Sequence, residues 1–183
     1  MTTLNEYLAQ KKAAAEALRS QAEQYPKPNT YSAKVQAKGR SGVREIRIRD
    51  FQIISDSPEN YAGYSLGPSS PEIQLGVLGS CLTHITLIQA AERGVSLESL
   101  EVEVTGQLHP LAGKPGYEDI PIYPHNIEYN IYIVSEESAE TIADLHKAVE
   151  RVCPIYNLLK YPQSISGGVV HRSPAGQPEG SSL

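Results

Sequence analysis

An α+β fold is predicted for this chain, with antiparallel strands set beside long helices. The elements run strands, helix, strands, helix, strand, which is not the alternation that builds a parallel sheet. One helix is apolar nearly all round, so it belongs inside the fold. The length of 183 residues fits one domain. The expected division is a helical extension over residues 1–28, the domain over 29–172, and a disordered tail over 173–183.

Residues 2–24 are rich in Ala, Leu, Lys, Glu and Gln, all strong helix formers. Tyr25-Pro26-Lys27-Pro28 ends that helix, because proline cannot continue it. Its apolar stripe of Leu4, Leu8, Ala15 and Leu18 is thin, so it reads as an appendage packed on the domain or on a partner subunit. Next, Tyr31, Ala33, Val35 and Ala37 alternate with polar residues, and residues 43–49 alternate again. Residues 38–42 between them form a turn of hairpin type. Ile53 and Ile54 extend a further strand, and residues 56–69 are loop by their Gly, Pro, Ser and Asn content.

The apolar helix is expected from Pro71 to about Arg93. Ser69 or Ser70 can cap it, Pro71 suits its first turn, Glu72 favours its positive end, and Gly94 stops it. Such a helix is wrapped on most sides by sheets or by a second subunit. Gly76 and Gly79 within it each cost ~1 kcal/mol relative to Ala, which fits close approach of another element. Leu100, Val102, Val104, Gly106 and Leu108 make a half-exposed strand, and Ile127, Tyr129, Ile131 and Ile133 the next. Residues 109–125 between them read as a Pro-rich loop, in which His109, Tyr117, Tyr123 and His125 could line a pocket. Residues 136–152 form an amphipathic helix with Ile142, Leu145, Val149 and Val152 on one face. A short helical turn over 155–160 and a last strand over 166–171 complete the reading.

Composition excludes several classes. With 40% of its residues hydrophobic the chain buries a real core, and lacking Trp it fills that core with Leu, Ile, Val and some of its 11 Tyr. The net charge of −5 carries no basic footprint for nucleic acid. No uninterrupted apolar run reaches the ~18 residues that span a bilayer, and residues 1–24 lack the apolar stretch of a signal peptide. A soluble, cytoplasmic protein is expected, with no nucleic-acid or membrane partner. Its two cysteines are then no disulfide framework.

Cys81 lies about three turns into the apolar helix, after the small residues Gly79 and Ser80. Cys153 precedes Pro154, which biases it out of the helical region and lets it cap the following turn. Backbone N–H groups at a helix start favour a thiolate.

Ser70-Pro71-Glu72 followed by Leu78-Gly79-Ser80-Cys81-Leu82 resembles the opening of the central helix in OsmC/Ohr proteins. Cys153-Pro154-Ile155-Tyr156-Asn157 is similar to that family's second cysteine motif. Residues 49–58, Arg-Asp-Phe-Gln-Ile-Ile-Ser-Asp-Ser-Pro, resemble the strand and loop before the helix, and Gly67-Pro68-Ser69 the lead-in. The likeness runs roughly from Tyr31 to His171.

The resemblance implies an OsmC-like fold, in which antiparallel sheets surround long central helices in an intertwined homodimer. It implies a thiol-dependent peroxidase for organic hydroperoxides, and for hydrogen peroxide more weakly, in oxidative-stress defence. Cys81 matches the peroxidatic cysteine and Cys153 the resolving one. Glu72 matches the assisting glutamate. Arg49 is the best match for the assisting arginine, with Arg40, Arg44 and Arg47 in competition. The expected partners are a peroxide, a dithiol reductant and a second copy of the chain, with no cofactor and no metal.

Two rivals stand beside that reading. Cys81 and His84 share a helix face, and with Cys153 and His146 or His171 they would make a zinc-type donor set. A non-enzymatic binding protein of the same fold is the other. Hydrolysis has little support, since Cys81 and His84 on one helix lack the usual nucleophile–base geometry.

Overall fold

The computed structural model describes residues 4–171 of the chain. In order it contains helix α1 (Leu4–Gln24), strands β1 (Lys34–Ala37), β2 (Arg44–Ile48) and β3 (Phe51–Ser55), helix α2 (Ser70–Arg93), strands β4 (Ser99–Gln107) and β5 (His125–Val134), and helices α3 (Ala139–Val152) and α4 (Pro154–Lys160). A short 3-10 turn, Glu59–Tyr61, interrupts the loop before α2. The fold is α+β: β1-β2-β3 form one antiparallel sheet and β4-β5 a second.

Helix α2 is the centre, and α1, β4, α3 and α4 all pack on it. Its start is a capping box, in which Ser69 N–H donates to the Glu72 carboxylate at 2.7 Å while the Ser69 side chain serves the first turn. Pro71 sits in that turn, and Gly94 closes the far end in the left-handed conformation at φ 71°. The lead-in is held by a close approach: a Cβ on Gly67 would fall 2.3 Å from the Ile54 carbonyl oxygen, so only glycine fits. The fully buried Asp56 fixes the same loop. Its carboxylate accepts the N–H groups of Ser57, Tyr64 and Leu66 at 2.8, 2.9 and 3.2 Å. The Ser57 N–H above all holds that carboxyl below the usual range.

The core consists of Leu78, Leu82, Ala90 and Ala91 of α2, Leu8 of α1, Leu145 and Val149 of α3, Cys153, and Val95 and Leu97 after α2. The N-terminal helix is part of this core: Leu8 is buried in it, and Asn5 Oδ1 accepts the N–H of the fully buried Leu97 at 2.8 Å. Strands β4 and β5 alternate as their sequence predicts. Val102 pairs with Ile131 and Val104 with Tyr129, and β5 reaches back to His125.

Several expectations are corrected. Residues 166–171 form no strand, because no strand of the protomer lies beside them, and Val169 is 94% exposed. Strand β1 is exposed along its whole length, so its alternation has no second layer to face within the protomer. Within the protomer helix α2 is not covered all round: Gly76, Val77 and Ser80 are exposed, Val77 at 41%. It is also long and apolar enough to cross a membrane by length and composition, because its scattered Gln, Ser, Thr and His do not outweigh its aliphatic residues. Gly79 does meet another element, its Cβ position lying 3.3 Å from Val104 Cγ2, whereas Gly76 meets nothing within 4 Å. Val152 ends α3 with its side chain exposed, unlike Leu145 and Val149 of the same helix. The tail predicted over 173–183 lies outside the described residues.

Candidate active site

Helix α3 ends where Cys153 leaves the helical region at φ −68°, ψ 113°, and α4 starts at Pro154. Asn157 locks this corner. Its side-chain amide donates to the Glu150 carbonyl at 2.9 Å, which Pro154 leaves without a helical N–H partner, and to the Cys153 carbonyl at 2.8 Å, which also accepts the Asn157 backbone N–H. The corner delivers the Cys153 sulfur to 3.5 Å from Cys81 Sγ, both cysteines being unbonded thiols. Cys153 is fully buried, while Cys81 is half-buried and opens onto a recess of about 450 Å³ lined by Ile73, Gly76, Val77, Ser80, His84 and Ile155.

Burial pushes the Cys153 thiol up, against the pull of the Tyr156 and Ile155 N–H groups at the start of α4. The helix-start effect expected from the sequence is therefore present, and desolvation outweighs it. Behind Cys153 lies a polar cluster that the sequence reading missed. The Tyr129 hydroxyl donates to Glu150 Oε1 at 2.6 Å and lies 2.8 Å from His146 Nε2. Tyr156 stands edge-on to the Tyr129 ring at a centroid distance of 6.0 Å, and Lys160 Nζ lies 5.2 Å over the Tyr156 ring. Desolvation and the Glu150 carboxylate raise the Tyr129 phenol well above its ordinary range, and the Tyr129 hydroxyl draws the Glu150 carboxyl down. Tyr129, His146 and Tyr156 come from three elements, and only folding assembles them.

Of the four predicted site residues, Cys81 and Cys153 meet. Glu72 lies nine positions before Cys81 on α2 and lines an adjoining recess that shares the Gly76 and Ser80 wall. Its carboxylate is engaged by Ser69, whose hydroxyl chiefly holds it below the usual range. Arg49 occupies the β2–β3 turn at φ 53° with its guanidinium 5.2 Å over the Phe51 ring, and it does not line the Cys81 recess of its own protomer. Arg44 turns back on its own sheet, donating to Gly42 O and Ser55 Oγ. Arg47 is paired with Glu45.

His84 lines the Cys81 recess, and its Nδ1 lies 3.4 Å from Lys11 Nζ. Burial, and then the Lys11 charge, lower its pKa. His146 is turned to Tyr129 instead. Among the described residues no group of three or more His, Cys, Asp or Glu side chains is placed to hold a metal ion. His109 stacks on Tyr117 at 5.4 Å, and His125 Nδ1 meets the Tyr123 carbonyl at 3.1 Å, so these loop residues brace the β4–β5 connection.

These features define an α+β protein with a dithiol pair, one thiol on its central helix and open to an apolar recess, the other buried behind it. A model of the OsmC-like protein family matches residues 63–166, and the chain belongs to that family. No curated protein sequence matches it. Solved structures share its fold. An OsmC-like protein from Mycoplasma pneumoniae superposes with a TM-score of 0.63 at 20% identity, covering 73% of this chain and 89% of the other. The organic hydroperoxide resistance protein OsmC from Legionella pneumophila gives 0.52 at 16% identity, covering 73% and 91%. That of Elizabethkingia anophelis gives 0.51 at 12%, covering 72% and 88%.

Proposed function

We propose that this protein is a thiol-dependent peroxidase that reduces organic hydroperoxides, and hydrogen peroxide less well, in oxidative-stress defence. The 3.5 Å approach of the two thiols carries the reading. Family membership and the names of the Legionella and Elizabethkingia neighbours support it.

In this cycle the Cys81 thiolate attacks the distal oxygen of the hydroperoxide. The O–O bond breaks, the alkoxide takes a proton and leaves as alcohol, and Cys81 becomes a sulfenic acid. Cys153 then attacks the Cys81 sulfur. Its proton and the sulfenic hydroxyl depart as water, and a disulfide forms. A dithiol reductant in the cytoplasm returns both thiols by exchange. The apolar walls Ile73, Val77 and Ile155 favour an organic substrate over hydrogen peroxide.

The working unit in this reading is a homodimer. Support comes from apolar side chains that the protomer leaves uncovered, among them Val35, Phe51 and Ile53. Arg49 and Glu72 enter as the pair that orients the peroxide across the subunit interface.

The test is intact mass under non-reducing conditions, before and after one equivalent of cumene hydroperoxide. A loss of two hydrogens, mapped to Cys81–Cys153 and absent in Cys153→Ser, is the expected result. Unchanged thiols would turn the assignment toward a binding role on the same fold.

A further inference from the structure

The N-terminal helix lies outside the residues matched by the family, yet its Lys11 meets His84, one of the residues that line the Cys81 recess. It is anchored at both ends, on the turn after α2 and on α2 itself. Asn5 and Leu8 fix its start, and Arg19 pairs with Glu92 at 2.7 Å near its finish. Between these points Lys11 is half-buried, with its ammonium 3.4 Å from His84 Nδ1 and 5.7 Å from the Tyr7 ring centre. Among the described residues Lys11 forms no ion pair with a carboxylate. An ammonium has only protons to donate, so His84 Nδ1 accepts and the imidazole carries its proton on Nε2. Neutral His84 leaves the Lys11 charge uncompensated.

The recess has a direction. Ile73, Val77, Cys81 and His84 succeed one another along one face of α2, an axial span of roughly 16 Å at the helical rise. Its far end is aliphatic, Cys81 lies in its second half, and the neutral imidazole with the ammonium behind it closes the near end. The nearby carboxylate, Glu72, sits at the opposite end and is held by Ser69.

Resting on the peroxidase reading, we propose that Lys11 is a specificity-determining residue that recruits hydroperoxides of carboxylic acids. The carboxylate pairs with the Lys11 ammonium, the apolar chain lies along Val77 and Ile73, and the peroxide is thereby set against Cys81. A lone cation beside an apolar furrow discriminates an acid from its ester, because the ester keeps the alkyl contacts and loses only the ion pair.

The test compares a fatty-acid hydroperoxide with its methyl ester on the full chain, in wild type, Lys11→Met and Lys11→Arg. Lys11→Met is expected to lower the acid-to-ester ratio of kcat/KM about tenfold, through KM, as loss of a charged hydrogen bond does. Lys11→Arg restores the ratio, and added salt weakens it. A parallel titration with decanoate and methyl decanoate needs no turnover, and Lys11→Met is expected to weaken decanoate alone. Equal losses for acid and ester, or decanoate binding indifferent to residue 11, overturn the proposal. Lys11-dependent decanoate binding in a protein that reduces no hydroperoxide would uphold the anion site and sink the peroxidase reading instead.

Discussion

The Cys153 sulfur stands 3.5 Å from Cys81 Sγ, in van der Waals contact across 72 residues of sequence. A disulfide requires about 2.05 Å, so closure needs an approach of about 1.5 Å. The corner between α3 and α4, braced by Asn157, holds one sulfur, and the middle of α2 holds the other. The two sites differ in what reaches them: an apolar recess opens on Cys81, and Cys153 is sealed behind it.

Removing the second thiol leaves the first without a partner. In the proposed cycle the Cys81 sulfenic acid of Cys153→Ser would have no adjacent thiol to condense with, and excess peroxide would carry it to sulfinic acid. Mass spectrometry of that variant is expected to show two added oxygens on Cys81, while the wild type stops at the disulfide. A Cys153→Ser protein that resists over-oxidation as well as the wild type contradicts the assigned roles.

The thiols are expected to differ in reactivity. Cys153 is inaccessible, and burial keeps it protonated at neutral pH. Iodoacetamide at pH 7 therefore labels Cys81 well ahead of Cys153 in the native protein, and urea removes the difference. Because the folded pKa of Cys153 is raised, its contribution to stability is complete below the ordinary thiol value and fades as pH rises through the folded one. Equal native labelling of the two thiols at pH 7 would count against this.

Tyr129→Phe deletes the hydroxyl shared by Glu150 and His146. Loss of a hydrogen bond to a charged acceptor costs about 1.5–3 kcal/mol where water does not replace it, and Tyr129 is only half-buried, so about 1 kcal/mol is expected. The Glu150 carboxyl is held low first by that hydroxyl, so its pKa rises in the variant. A depressed carboxylate stabilises above its ordinary pKa and loses that contribution as pH falls through its folded value. Urea midpoints should accordingly separate wild type from variant at pH 7 and converge toward pH 3. A constant gap across that range would show that Glu150 is not involved.

Asn5→Ala tests whether the N-terminal helix is integral. It leaves the N–H of buried Leu97 without its acceptor, at a cost of about 1–3 kcal/mol. At this size each kcal/mol lowers Tm by about 2–4 °C. Asn5→Asp keeps an oxygen in place and should lose less. An unchanged melting curve for Asn5→Ala would make α1 a detachable appendage.

Local chemistry by itself determined the punctuation of the chain and the identity of its thiols. Ser69, Pro71, Glu72 and Gly94 mark the bounds of α2 because capping and left-handed closure depend on neighbours a few residues away. Alternation in β4 and β5 is equally local, and the Cys-Pro corner follows from what proline forbids. Residues 166–171 show where that reasoning ends, since a strand also needs a partner, and partners are not written in the strand. Only the tertiary structure placed Lys11 against His84 and Tyr129 against Glu150, through packing of elements far apart in sequence. It alone decided that the Cys153 thiol is pushed up rather than down, because desolvation depends on everything that surrounds a thiol, whereas the helix-start N–H groups opposing it were visible in five consecutive residues.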